Sequence, residues 1–210
     1  MEITAIGCLH GFKPTLTGGD ILIITGDLTA RDGLIEHSVF LEWLHNQDYK
    51  KKILIAGNHD FFLHDNPRFY DKTGIDYLCD SGTEFEGYKI WGSPITPWFE
   101  GVNPKCSAFM RDRGEDIEKH WAKIPLDTNI LVTHGPPYFM LDRTVEDKHV
   151  GCEELRRRLN QMGSHRPRYH IFSHIHEDYG RVNTEVTDFI NCSLMDENYK
   201  PVNKPIRINI

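Results

Sequence analysis

The sequence predicts an α/β fold organised round a largely parallel sheet. Three observations carry this reading. Several short runs are apolar and β-branched throughout, without alternation, as in strands buried on both faces. Helix-like stretches lie between them, and strands alternating with helices imply parallel pairing. Segments rich in His, Asp or Asn follow the runs directly. In open α/β sheets, ligands bind at the carboxyl ends of strands.

Residues 3–6 (ITAI) and 21–25 (ILIIT) read as the first two buried strands. Residues 34–45 read as a helix, with Ile35, Val39 and Trp43 on one stripe and Phe40 and Leu44 beside it. Residues 53–56 (ILIA) form the next strand, and 84–93 (EFEGYKIWGS) a hairpin turning at Glu86-Gly87. The stretch 97–114 is the longest without clear periodicity, and such loops in compact domains are often functional. Residues 115–121 and 152–162 read as helices, with a strand at 130–133 (ILVT) between them. Residues 171–172, after Tyr169, continue the sheet, and 186–194 and 206–210 resemble hairpin or edge strands. With no Ser/Gly linker, repeat or low-complexity tract, residues 1–210 are expected to form one domain.

A chain of 210 residues with 39% hydrophobic content can bury a sizeable core. A net charge of −7 argues against bulk binding to long nucleic acids or anionic membranes. No apolar stretch reaches the roughly 18 residues a membrane span needs. The first strand starts so near Met1 that no signal peptide is expected. The five cysteines are odd in number and irregularly spaced. They read as reduced thiols of a cytoplasmic protein.

The chemistry is concentrated in GCLHG at 7–11, GD at 26–27, GNHD at 57–60, THG at 133–135 and SHIH at 173–176. One His after an apolar run means little, but this series of segments can deliver ligands from several strand ends to one point. Asp27 offers a carboxylate able to bridge two ions, and Asn58 a neutral oxygen. His10, His134, His174 and His176 offer imidazoles. His174 and His176 would share a face in a continuing strand, whereas a loop can splay them to different ions. The mixed N/O set suits Mn, Fe, Zn, Ni or Co better than Ca, and is unusual for Mg alone. Two such ions about 4 Å apart can hold a nucleophilic hydroxide and a phosphoryl oxygen.

Together these segments resemble the calcineurin-like metallophosphoesterase superfamily, whose pattern is D-x-H, G-D, G-N-H-[DE], a later His and G-H-x-H. GSPITPWF at 92–99, AFMRDRG at 108–114, THGPP at 133–137, VGCEEL at 150–155 and HEDYG at 176–180 further resemble the metallophosphoesterase-domain-containing, brain-type subgroup. The resemblance implies an α/β/β/α sandwich, two stacked mixed sheets flanked by helices. It also implies two divalent metal ions, with Mn, Fe and Zn the leading candidates. The first would take His10, Asp27 and His176, and the second Asp27 as bridge, Asn58, His134 and His174. His59 would contact the scissile phosphate or assist the leaving group, and Asp60 would orient His59.

The chain departs from the family pattern at Cys8, where a carboxylate is expected. Two readings stand. A thiolate would remain a ligand and draw the first site toward softer ions. A neutral thiol would leave that site one ligand short and its ion weakly held. Ser173, in place of glycine, is a milder departure.

Other residues carry less. His37 and His45 are expected at the surface, and His64, His120, His149, His165 and His170 in structural roles. Arg111 and Arg113 are candidates to clamp a phosphate, with solvated surface positions as the alternative. Trp98 and Phe99 are candidates to stack on a base, with rim packing as the alternative. The resemblance implies dimetal hydrolysis of small phosphodiesters, cyclic nucleotides among them, by a metal-bridging hydroxide. The alternatives are a phosphomonoesterase or nuclease of the same mechanism, or a weakly active binding scaffold. The expected partner is a small phosphoester such as a nucleotide. Neither a long nucleic acid nor a membrane is expected, and the chain is expected to be a monomer or homodimer.

Overall fold

The computed structural model describes residues 1–210. Two mixed sheets stack face to face, with helices on their outer sides. The first sheet contains β1 (Glu2–Ile6), β2 (Gly19–Ile24), β3 (Tyr49–Leu54), β4 (Asp76–Tyr77) and β13 (Ile206–Asn209), in the order β13-β1-β2-β3-β4. The second contains β5 (Ser81–Phe85), β6 (Tyr88–Ser93), β9 (Ile130–Thr133), β10 (Tyr169–Phe172), β11 (Gly180–Asn183) and β12 (Asp188–Asn191), in the order β11-β12-β10-β9-β6-β5. A small pair, β7 (Thr96–Pro97) and β8 (Met110–Arg111), stands apart. Parallel strands fill the centre of each large sheet, and β13, β5 and β11 pair antiparallel at the edges. The helices are α1 (Leu34–His45), α2 (Phe61–Asp65), α3 (Glu115–Trp121) and α4 (Glu153–Met162). No helix is long and apolar enough to cross a membrane.

The unbroken apolar runs have a simple cause. Successive side chains of a strand point to opposite faces, and both faces here are buried. Ile3, Ala5, Ile21, Ile23 and Ile53 meet Ile130, Val132, Ile171 and Ile190 between the sheets. The alternate residues Ile6, Leu22, Ile24 and Leu54, with Leu131 and Phe172, belong to the layer shared with the helices, which contribute Phe40, Leu44, Trp121, Leu155 and Leu159.

Three expectations are corrected. Of the Ile35, Val39 and Trp43 stripe of α1, Ile35 and Val39 face solvent, at 80% and 48% exposure, while Trp43 packs partly buried against the core and His37, Phe40 and Leu44 form the buried face. This helix carries apolar residues all round, so spacing alone does not choose its docking side. His37 is not a surface residue: it is fully buried, its Nε2 2.9 Å from Asp32 Oδ1 and its ring stacked on Phe62. Strand β3 begins at Tyr49, ahead of the expected Ile53. Its lysines hide the strand in sequence, yet Lys51 pairs with Asp76 at 2.7 Å and Lys52 Nζ donates to the His45 carbonyl at 3.0 Å. The hairpin turn at Glu86-Gly87 lies as expected, both residues having positive φ. The cysteines are free.

The corrected helix face generates a stability prediction. Phe40→Ala should cost about 3–5 kcal/mol by leaving a core cavity, whereas Ile35→Ala should stay within about 0.5 kcal/mol of the parent. Denaturant unfolding of the two variants checks this, and equal costs would refute the docking face.

Candidate metal centre

The parallel strands β1, β2 and β3 of one sheet and β9 and β10 of the other end at the same rim. Cross-sheet bonds join those ends. Thr25 Oγ1 donates to Ser173 Oγ at 2.7 Å, both fully buried, which gives the Ser173 hydroxyl a structural use. The Thr25 carbonyl accepts the His134 Nδ1 proton at 2.6 Å. Gly7 lies where the loops cross, and a Cβ there would meet Thr25 Oγ1 at 1.9 Å.

The loops after β1 and β2 run side by side. The Cys8 N–H donates to the Gly26 carbonyl, those of Leu9 and His10 to the Asp27 carbonyl, and that of Gly11 to the Leu28 carbonyl, at 2.8–3.2 Å. Cys8, His10 and Asp27 all sit in the left-handed region, with φ of 48°, 42° and 55°. Such conformations cost energy in non-glycine residues and persist only when their surroundings enforce them. Here they aim three side chains into one pocket.

Asp27 is the hub. Its Oδ1 accepts the His59 backbone N–H at 3.0 Å. Its Oδ2 lies 3.3 Å from His134 Nε2 and 3.6 Å from His10 Nε2. Asn58 Nδ2 donates to the Cys106 carbonyl at 2.7 Å, which turns Oδ1 inward, 2.9 Å from His134 Nε2. His134 already spends its Nδ1 proton on Thr25. In the neutral ring, the lone pairs of Nε2, Asn58 Oδ1 and Asp27 Oδ2 therefore converge with no hydrogen between them.

Beside this set, Cys8 Sγ and one nitrogen each of His10 and His176 lie within 4.8 Å of one another. His176 donates through Nδ1 to the Asp196 carbonyl at 2.9 Å, leaving Nε2 for the cluster. The buried His10 Nε2 has no hydrogen-bond partner. His174 packs on His134, ring centroids 4.9 Å apart, and lies outside the tight donor triads.

The electrostatics ask for positive charge. Burial opposes ionisation of Asp27, yet His134 and its neighbours hold its carboxyl well below the usual range. Burial likewise disfavours protonated His134, but Asp27 raises it to about 9. His176 is pushed up to about 9 by Cys8 against the same penalty. The Cys8 thiol, despite burial, is held well below its ordinary value by His176 and His10. His174, desolvated and beside His134, falls to about 3. Protons on imidazoles are one way to neutralise such a pocket, and divalent cations are another. The converging lone pairs and the orphaned His10 nitrogen fit cations.

The family profile of the calcineurin-like phosphoesterases matches residues 1–178. The chain belongs to that family. Membership implies a dinuclear divalent-metal centre, and the groups around Asp27 and His134 and around Cys8, His10 and His176 are candidate ligand clusters for it. Metallophosphoesterase domain-containing protein 1 of Homo sapiens is 37% identical over 219 residues, covering 91% of this chain and 65% of that protein. The Mus musculus protein gives the same figures. The chain thus spans just under two thirds of these relatives. TT1561 of Thermus thermophilus, a solved structure, is 14% identical with a TM-score of 0.57, over 90% of this chain and 88% of that one. At that identity the match speaks for the fold.

Other expected site residues are placed as follows. His59 has its ring edge-on to His10, centroids 4.8 Å apart, and lines a cavity of about 520 Å³. Asp60 does not bond to the His59 side chain, in contrast to the expected orienting role. Its buried carboxylate accepts three backbone N–H groups, from Gly57, Asp27 and Leu28, at 2.7–3.0 Å. It thereby sets the shape of the loops around both residues. Burial and nearby Asp27 raise its pKa to about 7. The Arg113 guanidinium donates to the Val150 and Gly151 carbonyls at 3.1 Å. Arg111 donates to the Met110 carbonyl. Trp98 and Phe99 are exposed, at 44% and 51%. None of these four lines the His59 cavity, whose walls include Arg31 and Lys105.

Sequence reading missed Arg31, Lys105 and Tyr199. Tyr199 sits over the centre, its ring 4.8 Å from His10 and 5.2 Å from His176. A turn at Asp196 positions it: the Tyr199 N–H donates to the same carbonyl that fixes His176. No local pattern near residue 199 signals this placement.

Gly57 provides a test of the packing. A Cβ there would meet Asp27 Oδ1 at 2.2 Å and His134 Cε1 at 2.5 Å. Gly57→Ala should cost about 1–3 kcal/mol through overpacking and lower the bound-metal content. Thermal unfolding and elemental analysis of the purified variant measure both, and a variant unchanged in each would contradict the geometry.

Proposed function

We propose that the chain is a metal-dependent phosphodiesterase of small substrates, cyclic nucleotides among them. The observation that carries this reading is His59, which lies within 4.8 Å of the His10 and Asp27 donors and also lines the neighbouring cavity. Asp27, with Asn58, His134 and His174, would hold one ion, and Asp27, His10 and His176 the other. Two such ions supply Lewis-acid stabilisation of the phosphoryl oxygens and a nucleophile at neutral pH.

The protein's own groups do the rest. The His59 imidazole can donate to a non-bridging phosphate oxygen or hand a proton to the departing alkoxide. Burial lowers its pKa from the ordinary imidazole value while the Asp27 carboxylate opposes that shift, and the charge of a bound anionic ester would favour the protonated ring further. Arg31 and Lys105 in the cavity wall suit an anionic ester, and the cavity gives room to the second substituent that distinguishes a diester from a monoester. Tyr199 covers the His10–His176 side, where its ring can pack on a bound organic group. The net charge of −7 favours small substrates over long nucleic acids. Free cysteines suit a reducing, cytoplasmic setting.

Two outcomes follow. Asp27→Ala should depress hydrolysis of bis-p-nitrophenyl phosphate more than His174→Ala does, because Asp27 serves both clusters. Kinetics with added Mn check this, and parent-like activity in Asp27→Ala would end the dinuclear reading. His59→Ala should lower turnover roughly 10²–10⁴-fold while leaving metal content unchanged. The loss should be larger on cyclic nucleotides, whose alkoxide leaves poorly, than on p-nitrophenyl esters. Faster cleavage of p-nitrophenyl phosphate than of any diester would favour a phosphomonoesterase instead.

A further inference from the structure

The family pattern has a carboxylate where this chain has Cys8, and the surroundings of that sulfur are informative. Cys8 is fully buried. It sits at a strained φ of 48°, two residues from His10 at 42°, so the chain spends conformational energy to send both side chains into one pocket. The sulfur accepts the His174 backbone N–H at 3.0 Å, a contact that suits an electron-rich sulfur. Around it stand His10, His176 and Asp27, with Cys8 also within 4.8 Å of the Asp27–His134 pair. An independent sign of a ligand is His10 itself. Its side chain is only 10% exposed, and its buried Nε2 has no hydrogen-bond partner.

We propose that Cys8 is a metal ligand through its thiolate, making the His10–His176 pocket a site of one sulfur, two imidazole nitrogens and the shared Asp27 oxygen. This rests on the dinuclear metal centre proposed above and goes further by assigning different ion preferences to the two positions. A thiolate with two imidazoles and a carboxylate suits zinc, iron(II) or cobalt(II). The neighbouring set of Asp27, Asn58, His134 and His174 has no sulfur and tolerates harder ions such as manganese. The expected resting form is therefore a mixed centre, thiophilic ion beside hard ion, in place of two equivalent ions. On binding, the thiol proton is released to solvent and the sulfur lone pair forms the metal bond. No redox step is involved.

The test uses the full chain, stripped of metal and reloaded with cobalt(II) alone. Bound ions are counted by elemental analysis, and the near-ultraviolet spectrum is searched for a thiolate-to-cobalt charge-transfer band. Two ions and that band are expected in the parent protein. Cys8→Ser should lose the band and hold the first ion at least roughly tenfold more weakly. Cys8→Asp should also lack the band, yet keep two ions and shift preference from zinc toward manganese in a competition titration. Two cobalt ions bound without the band would overturn the thiolate assignment while leaving the dinuclear centre intact. Failure of the folded parent to bind any cobalt or zinc would overturn both. Because the parent spectrum is decisive, the test does not depend on either variant folding.

Discussion

The site depends on one buried carboxyl group, that of Asp60, which acts on the backbone around it. Asp60 accepts the N–H groups of Gly57, Asp27 and Leu28, and so ties the loop after β3 to the loop after β2. Three donors converge on this one carboxyl group, which has no exposure to water, and buried hydrogen bonds of this kind are costly to break. With both loops held, Asp27 can persist at its left-handed φ, and its Oδ1 is aligned on the His59 N–H. The family resemblance had suggested a partner for the His59 ring. The actual geometry makes Asp60 a brace for the backbone that presents Asp27, Asn58 and His59 together.

A second constraint comes from stacking two sheets. Their central strands end at one rim, and the Thr25–Ser173 and Thr25–His134 bonds fix the lateral offset between them. Each imidazole whose Nδ1 is committed to a carbonyl, His134 to Thr25 and His176 to Asp196, has its Nε2 turned toward the anionic centre. Backbone acceptors thus choose the ring orientation, as expected where imidazoles serve as ligands. The opposed shifts of His134 upward and His174 downward follow from this layout. His134 lies against Asp27, whereas desolvation dominates at His174.

The parts of the fold legible in the sequence were those encoded by neighbouring residues. Runs such as 21–25 and 130–133 announced strands buried on both sides, and Glu86-Gly87 announced its turn. Where local signals conflicted, reading failed. Helix α1 has apolar residues round its whole circumference, so its inner face was not legible, and His37 was misplaced at the surface. The lysines at the start of β3 masked a strand whose charges are neutralised by contacts made elsewhere, as in the Lys51–Asp76 pair. Arg113 resembled an anion clamp by composition, yet its donors are committed to loop carbonyls of residues 150 and 151.

By itself the sequence determined the α/β class, the strand-end positions of the His, Asp and Asn ligand candidates, and the departure at Cys8. These are properties of short segments, since strand periodicity and the motif at a strand's end lie within a few residues of each other. Only the tertiary structure decided that Asp60 braces the loops, that Tyr199 covers the centre, and that Arg31 and Lys105 line the cavity in place of Arg111 and Arg113. It also placed Cys8 against His174, 166 positions away. Such contacts depend on how the two sheets stack and on which donors remain unspent after the backbone is satisfied, and no local pattern records either.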